Sequence, residues 1–169
     1  MMENNKRIAI CPGSFDPITL GHLNIIRRSA KIFDEVVVCV MQNSTKTSPM
    51  FTIEERVSMV RRAVVRYSNV RVDTAPVLLA EYARQFDHAV IVKGLRAASD
   101  FEYEFQMNLI NKKINPHLET MFLTASEKYT FLSSSVVREM AIYGADLTGL
   151  VPVELIPEIE EKAKLWRKT

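Results

Sequence analysis

The chain has 169 residues, of which 47% are apolar and 25% charged, and its formal net charge is +2. This length suits one domain with a large core, and the balanced charge argues against nucleic acid as a main partner. The first residues lack the apolar segment of a signal peptide, and no apolar run reaches the ~18 residues of a membrane span. We therefore expect a single cytoplasmic domain over residues 1–169 with no membrane partner.

Apolar β-branched runs alternate with amphipathic stretches along the chain. The runs predict strands over residues 7–11, 35–41, 69–74, 88–94 and 119–126. The spacing of apolar residues predicts helices over 22–33, 52–67, 78–86, 99–115 and 133–144, with Thr52 and Glu55 forming a capping box. This alternation predicts an α/β fold: a doubly wound, five-stranded parallel sheet with a terminal helical extension over residues ~150–169.

Two features have structural interpretations. Cys11 and Cys39 each end a β-branched run, which is typical of small buried hydrophobic residues. The apolar stretch 105–114 is compatible with a subunit interface, but the helical spacing of its apolar residues favours the core.

Four of the five segments that follow predicted strands are rich in hydroxyl groups, glycine or basic residues. In a sheet of this kind, ligands bind outside the carboxyl ends of the strands, where the strand order reverses. The sequence therefore predicts one composite site built from these segments.

The first of these segments, residues 12–22 (PGSFDPITLGH, the first loop), matches neither the dinucleotide-binding fingerprint nor a P-loop. Gly13 and Ser14 provide a small, flexible backbone that a phosphate can approach, and Asp16-Pro17 favours a turn. His22 falls in the first turn of a predicted helix, where free N–H groups suit an anion and favour the neutral imidazole. A lone histidine there more often caps or packs, but the neighbouring glycines and hydroxyls favour anion binding.

The later segments add further anion-binding groups. Ser133 to Ser135 begin a predicted helix, with Arg138 one turn further on. An ordinary N-cap needs only one serine, so the run predicts a polyphosphate cradle. Residues 93–104 (the fourth loop) contribute Lys93 and Arg96, and Lys46 is either a mobile phosphate ligand or a solvated loop lysine.

No nucleophile is paired with a base in this set, and no carboxylates have the spacing of metal ligands. Phosphoryl and nucleotidyl transfers need neither, because their transition states depend on positioning and charge neutralisation. The residues thus predict a nucleotide-dependent transferase with Mg²⁺ carried on the phosphates.

Two motifs resemble the signature of the nucleotidyltransferase superfamily: T-x-G-H at Thr19–His22 and S-S-S-x-x-R from Ser133 to Arg138. With GLRAASDFEYE, STKTSPMFTIEER and the length, nearly the whole chain resembles the bacterial phosphopantetheine adenylyltransferases. The resemblance implies a Rossmann-like nucleotidyltransferase fold. It also implies transfer of the adenylyl group of ATP to 4′-phosphopantetheine, giving dephospho-coenzyme A and pyrophosphate, the penultimate step of coenzyme A synthesis.

The resemblance also implies roles for individual residues. Three are catalytic, with the first stabilising the pentacovalent transition state: His22, Lys46 and Arg96. ATP would contact Ser14, Phe15, His22, Gly94, Leu95, Arg96, Glu104, Tyr129, Thr130, Phe131, Leu132, Ser133, Ser134 and Ser135. Phosphopantetheine would contact Ser14, Lys46, Leu79 and Lys93. The family further implies Mg²⁺ on the ATP phosphates with no metal site in the protein, a homohexamer, and coenzyme A as a feedback ligand.

The sequence departs from the family pattern at three positions: Ser14 replaces Thr, Lys93 replaces a commoner Arg, and Leu132 replaces Ile. Lys93 is a point charge without the planar fork of arginine, so substrate affinity is expected to differ modestly. Two other functions stay open. One is a sister enzyme such as nicotinamide mononucleotide adenylyltransferase, and the other is a non-catalytic nucleotide-binding module.

Overall fold

The computed structural model describes residues 6–42 and 48–166. Its sheet has five parallel strands in the order β3-β2-β1-β4-β5. The strands are β1 (Ile8–Gly13), β2 (Glu35–Met41), β3 (Val70–Ala75), β4 (Ala89–Leu95) and β5 (Glu119–Thr124). The chain therefore winds outward from β1 to β3 and then, on the other side, from β4 to β5. This confirms the predicted doubly wound sheet and places the reversal of strand order between β1 and β4.

In the described part of the chain, six α-helices connect or follow the strands. They are α1 (Leu20–Ile32), α2 (Ile53–Val64), α3 (Leu79–Tyr82), α4 (Ala98–Ile114), α5 (Ser134–Tyr143) and α6 (Ile156–Trp166). The predicted capping box of Thr52 and Glu55 is present at the start of α2. The third predicted helix is shorter than expected, because its second half is a 3₁₀ turn over Ala83–Gln85. None of the described helices is long and apolar enough to cross a membrane.

The sheet is covered on both faces, as its unbroken apolar strands predict. Along β2, alternate residues face opposite sides, with Val36, Val38 and Val40 in one core cluster and Val37 and Cys39 in the other. The first cluster is completed by α1, α2, α5 and α6, and the second by α3. The predicted burial of both cysteines is confirmed, and burial raises the pKa of each thiol to about 12.

Helix α4 differs from the prediction. The apolar side chains of Phe105, Leu109 and Ile110 are about half exposed, so the expectation that residues 105–114 belong to the core is wrong. Apolar residues occur around the whole helix, so one face packed against β4 and β5 leaves others at the surface. Phe101 stacks on Phe105 at a centroid distance of 5.7 Å and extends this apolar surface.

Candidate active site

Three segments that follow strands meet beside the reversal point between β1 and β4. A Cβ atom on Gly21, which lies in the first loop, would stand 3.6 Å from Cβ of Tyr129 and 3.8 Å from Cδ2 of Leu132, which both follow β5. Arg96, which follows β4, donates from Nη1 to the Leu132 carbonyl at 3.2 Å. The structure thus brings together residues from the predicted ends of β1, β4 and β5, which is the location expected of a ligand site.

His22 occupies the first turn of α1, as the sequence predicted, and it takes part in capping the helix. Thr19 is the N-cap, and its Oγ1 accepts the His22 N–H at 3.3 Å. In return, Nδ1 of His22 accepts the Thr19 N–H at 3.1 Å. Because Nδ1 accepts a hydrogen bond, the neutral ring carries its own proton on Nε2. The cap therefore fixes the tautomer that makes Nε2 a hydrogen-bond donor.

The ring of Phe15 supports the imidazole from the side. It meets the His22 ring edge to face at a centroid distance of 5.1 Å. Phe15 also lies over Gly13, where a Cβ atom would approach the phenyl ring to 2.9 Å. The glycine is therefore needed for the close approach of Phe15, and through it for the placement of His22.

Asp16 is a buried junction between the first loop and two helices. Its carboxylate is almost fully buried and accepts the N–H groups of Met50 at 3.2 Å and Phe51 at 3.0 Å, just before α2. It also accepts a hydrogen bond from Nη1 of Arg138 on α5 at 3.2 Å. The sequence predicted only a turn here, because these partners lie 34 or more residues away.

The serine run at the start of α5, Ser133 to Ser135, forms hydrogen bonds with other residues of the protein. Ser133 caps the helix by accepting the Val136 N–H, and Ser134 donates to the Pro17 carbonyl at 2.8 Å. Ser135 accepts a hydrogen bond from Nη2 of Arg138. The guanidinium of Arg138 is thus hydrogen-bonded to Asp16 and Ser135, and its interpretation as a phosphate ligand stays a prediction. The backbone N–H groups of the first turn of α5 have no acceptor within the helix and can bind an anion.

Two predicted cations of the fourth loop are each paired with a carboxylate. Arg96 binds Asp100 through two parallel hydrogen bonds, of 2.9 Å from Nε and 3.1 Å from Nη2. These bonds hold the pKa of Asp100 below its usual range. Lys93 forms an ion pair with Glu104. A bound phosphate must therefore share these cations with their carboxylates or replace the carboxylates.

The remaining predicted site residues differ in the solvent exposure of their side chains. Phe131 is well exposed, whereas the side chain of Leu132 is buried, so a contact of Leu132 with ATP would use its backbone. Leu79 begins α3 and packs against the second core cluster, partly buried. Gly94 lies against α1, where a Cβ atom would approach Cγ1 of Ile25 to 2.8 Å. Lys46 lies outside the described residues.

Arg56, a buried arginine of α2, was not predicted as a site residue. Its guanidinium donates from Nη1 to the carbonyls of Ser14 at 2.7 Å and Met41 at 3.0 Å. Burial lowers the pKa of Arg56, and the negative charge of Asp16 opposes that shift. Arg56, Ser14 and Asp16 line part of a cavity of about 250 Å³. The sequence did contain an indication of this role. Arg56 lies on the same helix face as the inward residues Ile53, Val57 and Val60, which is unusual for an arginine.

Comparisons with known proteins agree with this geometry. The cytidylyltransferase-like family model matches residues 10–140. A phosphopantetheine adenylyltransferase of Finegoldia magna is 52% identical over 158 residues, covering 94% of this chain and 97% of that protein. The Dictyoglomus turgidum enzyme of the same name is 50% identical over 157 residues, covering 93% and 98%.

The fold also matches a solved structure. A Vibrio parahaemolyticus protein described as a nicotinate-nucleotide adenylyltransferase superposes with a TM-score of 0.70 over 97% of both chains, at 21% identity. At that identity the likeness concerns the fold alone. The sequence matches and the converging loops lead to one conclusion: the chain belongs to the phosphopantetheine adenylyltransferase family, within the cytidylyltransferase-like nucleotidyltransferases.

Proposed function

We propose that this protein transfers the adenylyl group of ATP to 4′-phosphopantetheine, giving dephospho-coenzyme A and pyrophosphate. The observation that carries the proposal is the identity of about half of all residues, over nearly the full length, with proteins named for that reaction. His22 at the start of α1 and the N–H groups of the first turn of α5 would be the anion-binding groups that the reaction needs.

In the proposed reaction, a phosphate oxygen of phosphopantetheine attacks the α-phosphorus of ATP in line. A new phosphorus–oxygen bond forms as the bond to the bridging α,β-oxygen breaks, and pyrophosphate leaves. No general base is needed, because the acceptor phosphate is already an anion at pH 7. His22 donates from Nε2 to the negative charge that develops on the phosphates, and the tautomer fixed by Thr19 suits that role.

The two substrates are proposed to bind on either side of His22. Lys46, Lys93 and Ser14 hold the phosphate of phosphopantetheine, and Leu79 lines the channel for its pantetheine arm. ATP lies against the backbone of Phe15 and Leu95, with Arg96 and Glu104 from the fourth loop. Residues 129–135 cover the adenine and bind the β- and γ-phosphates. Lys93, assigned to phosphopantetheine, forms an ion pair with Glu104, assigned to ATP. Binding of either substrate would therefore change the ion pair of a residue that contacts the other substrate.

Mg²⁺ is proposed to enter with ATP and to neutralise charge on the phosphates. Within residues 6–42 and 48–166, no three His, Cys, Asp or Glu side chains are grouped for a metal. We propose that the ligands of the ion are phosphate oxygens and water, an arrangement that Mg²⁺ commonly adopts with nucleotides.

The family pattern further leads us to propose a cytoplasmic homohexamer with coenzyme A as a feedback ligand. The half-exposed apolar residues of α4 and the edge strand β5 support a subunit interface. Leu109→Glu should dissociate the assembly in light scattering after size exclusion, whereas Val65→Glu on the exposed end of α2 should not. An unchanged mass for Leu109→Glu would count against this interface.

A pyrophosphate-release assay tests the reaction. The protein is incubated with Mg²⁺–ATP and 4′-phosphopantetheine, nicotinamide mononucleotide or no acceptor. We expect pyrophosphate only with phosphopantetheine, and a product with the mass of dephospho-coenzyme A. Release with nicotinamide mononucleotide alone would favour the sister enzyme, and no release with either acceptor would favour a nucleotide-binding module.

A further inference from the structure

Side chains of α2 and α5 donate hydrogen bonds to three backbone carbonyl groups of the first loop. Arg56 donates to Ser14, Arg138 to Asp16 and Ser134 to Pro17. The Ser14 carbonyl belongs to the peptide bond that precedes Phe15, and Arg56 is the member of the set that comes from α2. The orientation of the Ser14–Phe15 peptide therefore depends on a residue of α2, which lies outside the first loop.

Phe15 has a backbone conformation that needs such support. Its φ is 46°, in the left-handed region, where the Cβ atom of an L-residue crowds the neighbouring carbonyl oxygen. Residues other than glycine keep this conformation only where the surrounding structure imposes it. The burial of the Phe15 ring against Gly13 and His22 imposes it from one side, and the tethered Ser14 carbonyl from the other.

The tether also determines where the Phe15 N–H points. A trans peptide is planar, so its C=O and N–H groups point in opposite directions. Because the Ser14 carbonyl faces the guanidinium at 2.7 Å, the Phe15 N–H faces away from Arg56. A flip of this peptide would turn the carbonyl to where the N–H now points, and a donor would be replaced by an acceptor.

The shape of the guanidinium suits this task. The pairing of β1 with β2 ends at Gly13 and Val40. Arg56 donates hydrogen bonds to the carbonyl groups of the residues that follow these two, Ser14 and Met41. Its Nε also donates to the Thr52 carbonyl at 3.3 Å, which fixes the plane of the guanidinium within α2. A lysine ammonium lacks this rigid planar arrangement of donors.

We propose that Arg56 is a positioning residue for adenylyl transfer: it locks the Ser14–Phe15 peptide so that the Phe15 N–H is presented to the phosphates of ATP. The proposal rests on the proposed function, in which ATP binds the backbone of Phe15. Arg56 itself touches no substrate. Its effect on the reaction passes through the backbone of the first loop.

Arg56→Lys and Arg56→Met test the proposal, with Arg61→Met on the exposed face of the same helix as the control. We expect kcat to fall about 100-fold in Arg56→Met and at least about tenfold in Arg56→Lys, because a small misplacement of a phosphate-binding group is costly. Calorimetric ATP affinity, which needs no acceptor, should fall about tenfold in Arg56→Lys. Arg61→Met should match the wild type in both measurements.

Chemical rescue distinguishes a loss of positioning from a loss of stability alone. Arg56 lines the cavity beside Ser14, so ethylguanidinium at a sub-denaturing concentration should raise the kcat of folded Arg56→Ala, whereas ethylurea should not. A kcat and ATP affinity for Arg56→Lys within about threefold of wild type would overturn the proposal. So would a folded Arg56→Ala variant that ethylguanidinium leaves unchanged. If wild-type protein binds ATP but forms no dephospho-coenzyme A, the proposed function fails, and the ATP affinities alone decide the role of Arg56.

Discussion

The first and fourth loops each contain an aspartate that is paired with an arginine, but the two pairs differ in burial. The side chains of Asp16 in the first loop and its partner Arg138 on α5 are 2% and 17% exposed. In the fourth, those of Asp100 and Arg96 are 25% and 38% exposed. A buried charge is costly to leave unpaired, whereas a partly solvated pair is held together by little net free energy. The first pair is therefore suited to fix a backbone, and the second to exchange partners with a phosphate.

Asp16→Asn should have the largest effect on stability. It removes the negative charge between Arg138 and Arg56 while keeping the volume of the side chain. We expect a loss of about 3–5 kcal/mol in the free energy of unfolding, as for other buried pairs that lose one partner. Urea denaturation measures this loss. Asp34→Asn, which breaks the exposed pair with Arg7, is the control and should cost much less. Equal losses in the two variants would remove the distinction between buried and exposed pairs.

His22→Ala tests the group that the first loop positions. Loss of a donor to the developing phosphate charge should lower kcat about 10²–10³-fold. Loss of the hydrogen bond from the Thr19 N–H to the imidazole should cost only about 1 kcal/mol of stability, so the fold should persist. Steady-state pyrophosphate release and circular dichroism measure the two effects, with the exposed His88→Ala as control. A near wild-type kcat in a folded His22→Ala protein would rule out its assigned role.

Arg96→Ala tests the pair that is expected to exchange. It should raise the KM for ATP about tenfold, as one charge-assisted contact is lost. The free energy of unfolding should change by less than about 1 kcal/mol. Initial rates at varied ATP and a urea titration provide the measurements. A large loss of stability with an unchanged KM would mean that Arg96 is structural.

Asp100→Asn should have the smallest effect, and one that depends on pH. Hydrogen bonds from Arg96 hold the pKa of Asp100 below that of the unfolded chain, so its charge stabilises the fold above about pH 4. This contribution is lost as pH falls through the folded-state pKa. The urea midpoint of the variant should therefore be slightly lower than wild type at pH 7 and should approach it near pH 3. A difference that is independent of pH would contradict an ionic role.

Much of this molecule could be predicted because it follows from local patterns. The unbroken apolar run of β2 and the capping box at Thr52 and Glu55 depend only on neighbouring residues, and both are confirmed. The roles of Asp16 and Arg56 depend on contacts across 34 and 42 residues, which no local pattern specifies. The serine run was correctly placed at a helix start, but its side-chain partners are set by the tertiary structure. For α4, the spacing of apolar residues could not distinguish a face in the core from an exposed apolar surface.

The central claim, a fixed first loop beside an exchangeable fourth loop, is tested most directly by a crystal structure of the protein with ATP bound. The claim predicts that Arg56 remains hydrogen-bonded to the Ser14 carbonyl and Arg138 to Asp16. It also predicts that the guanidinium of Arg96 leaves Asp100 for a phosphate oxygen. An ATP complex in which Arg96 keeps both bonds to Asp100, or in which the Ser14–Phe15 peptide has flipped away from Arg56, would contradict it.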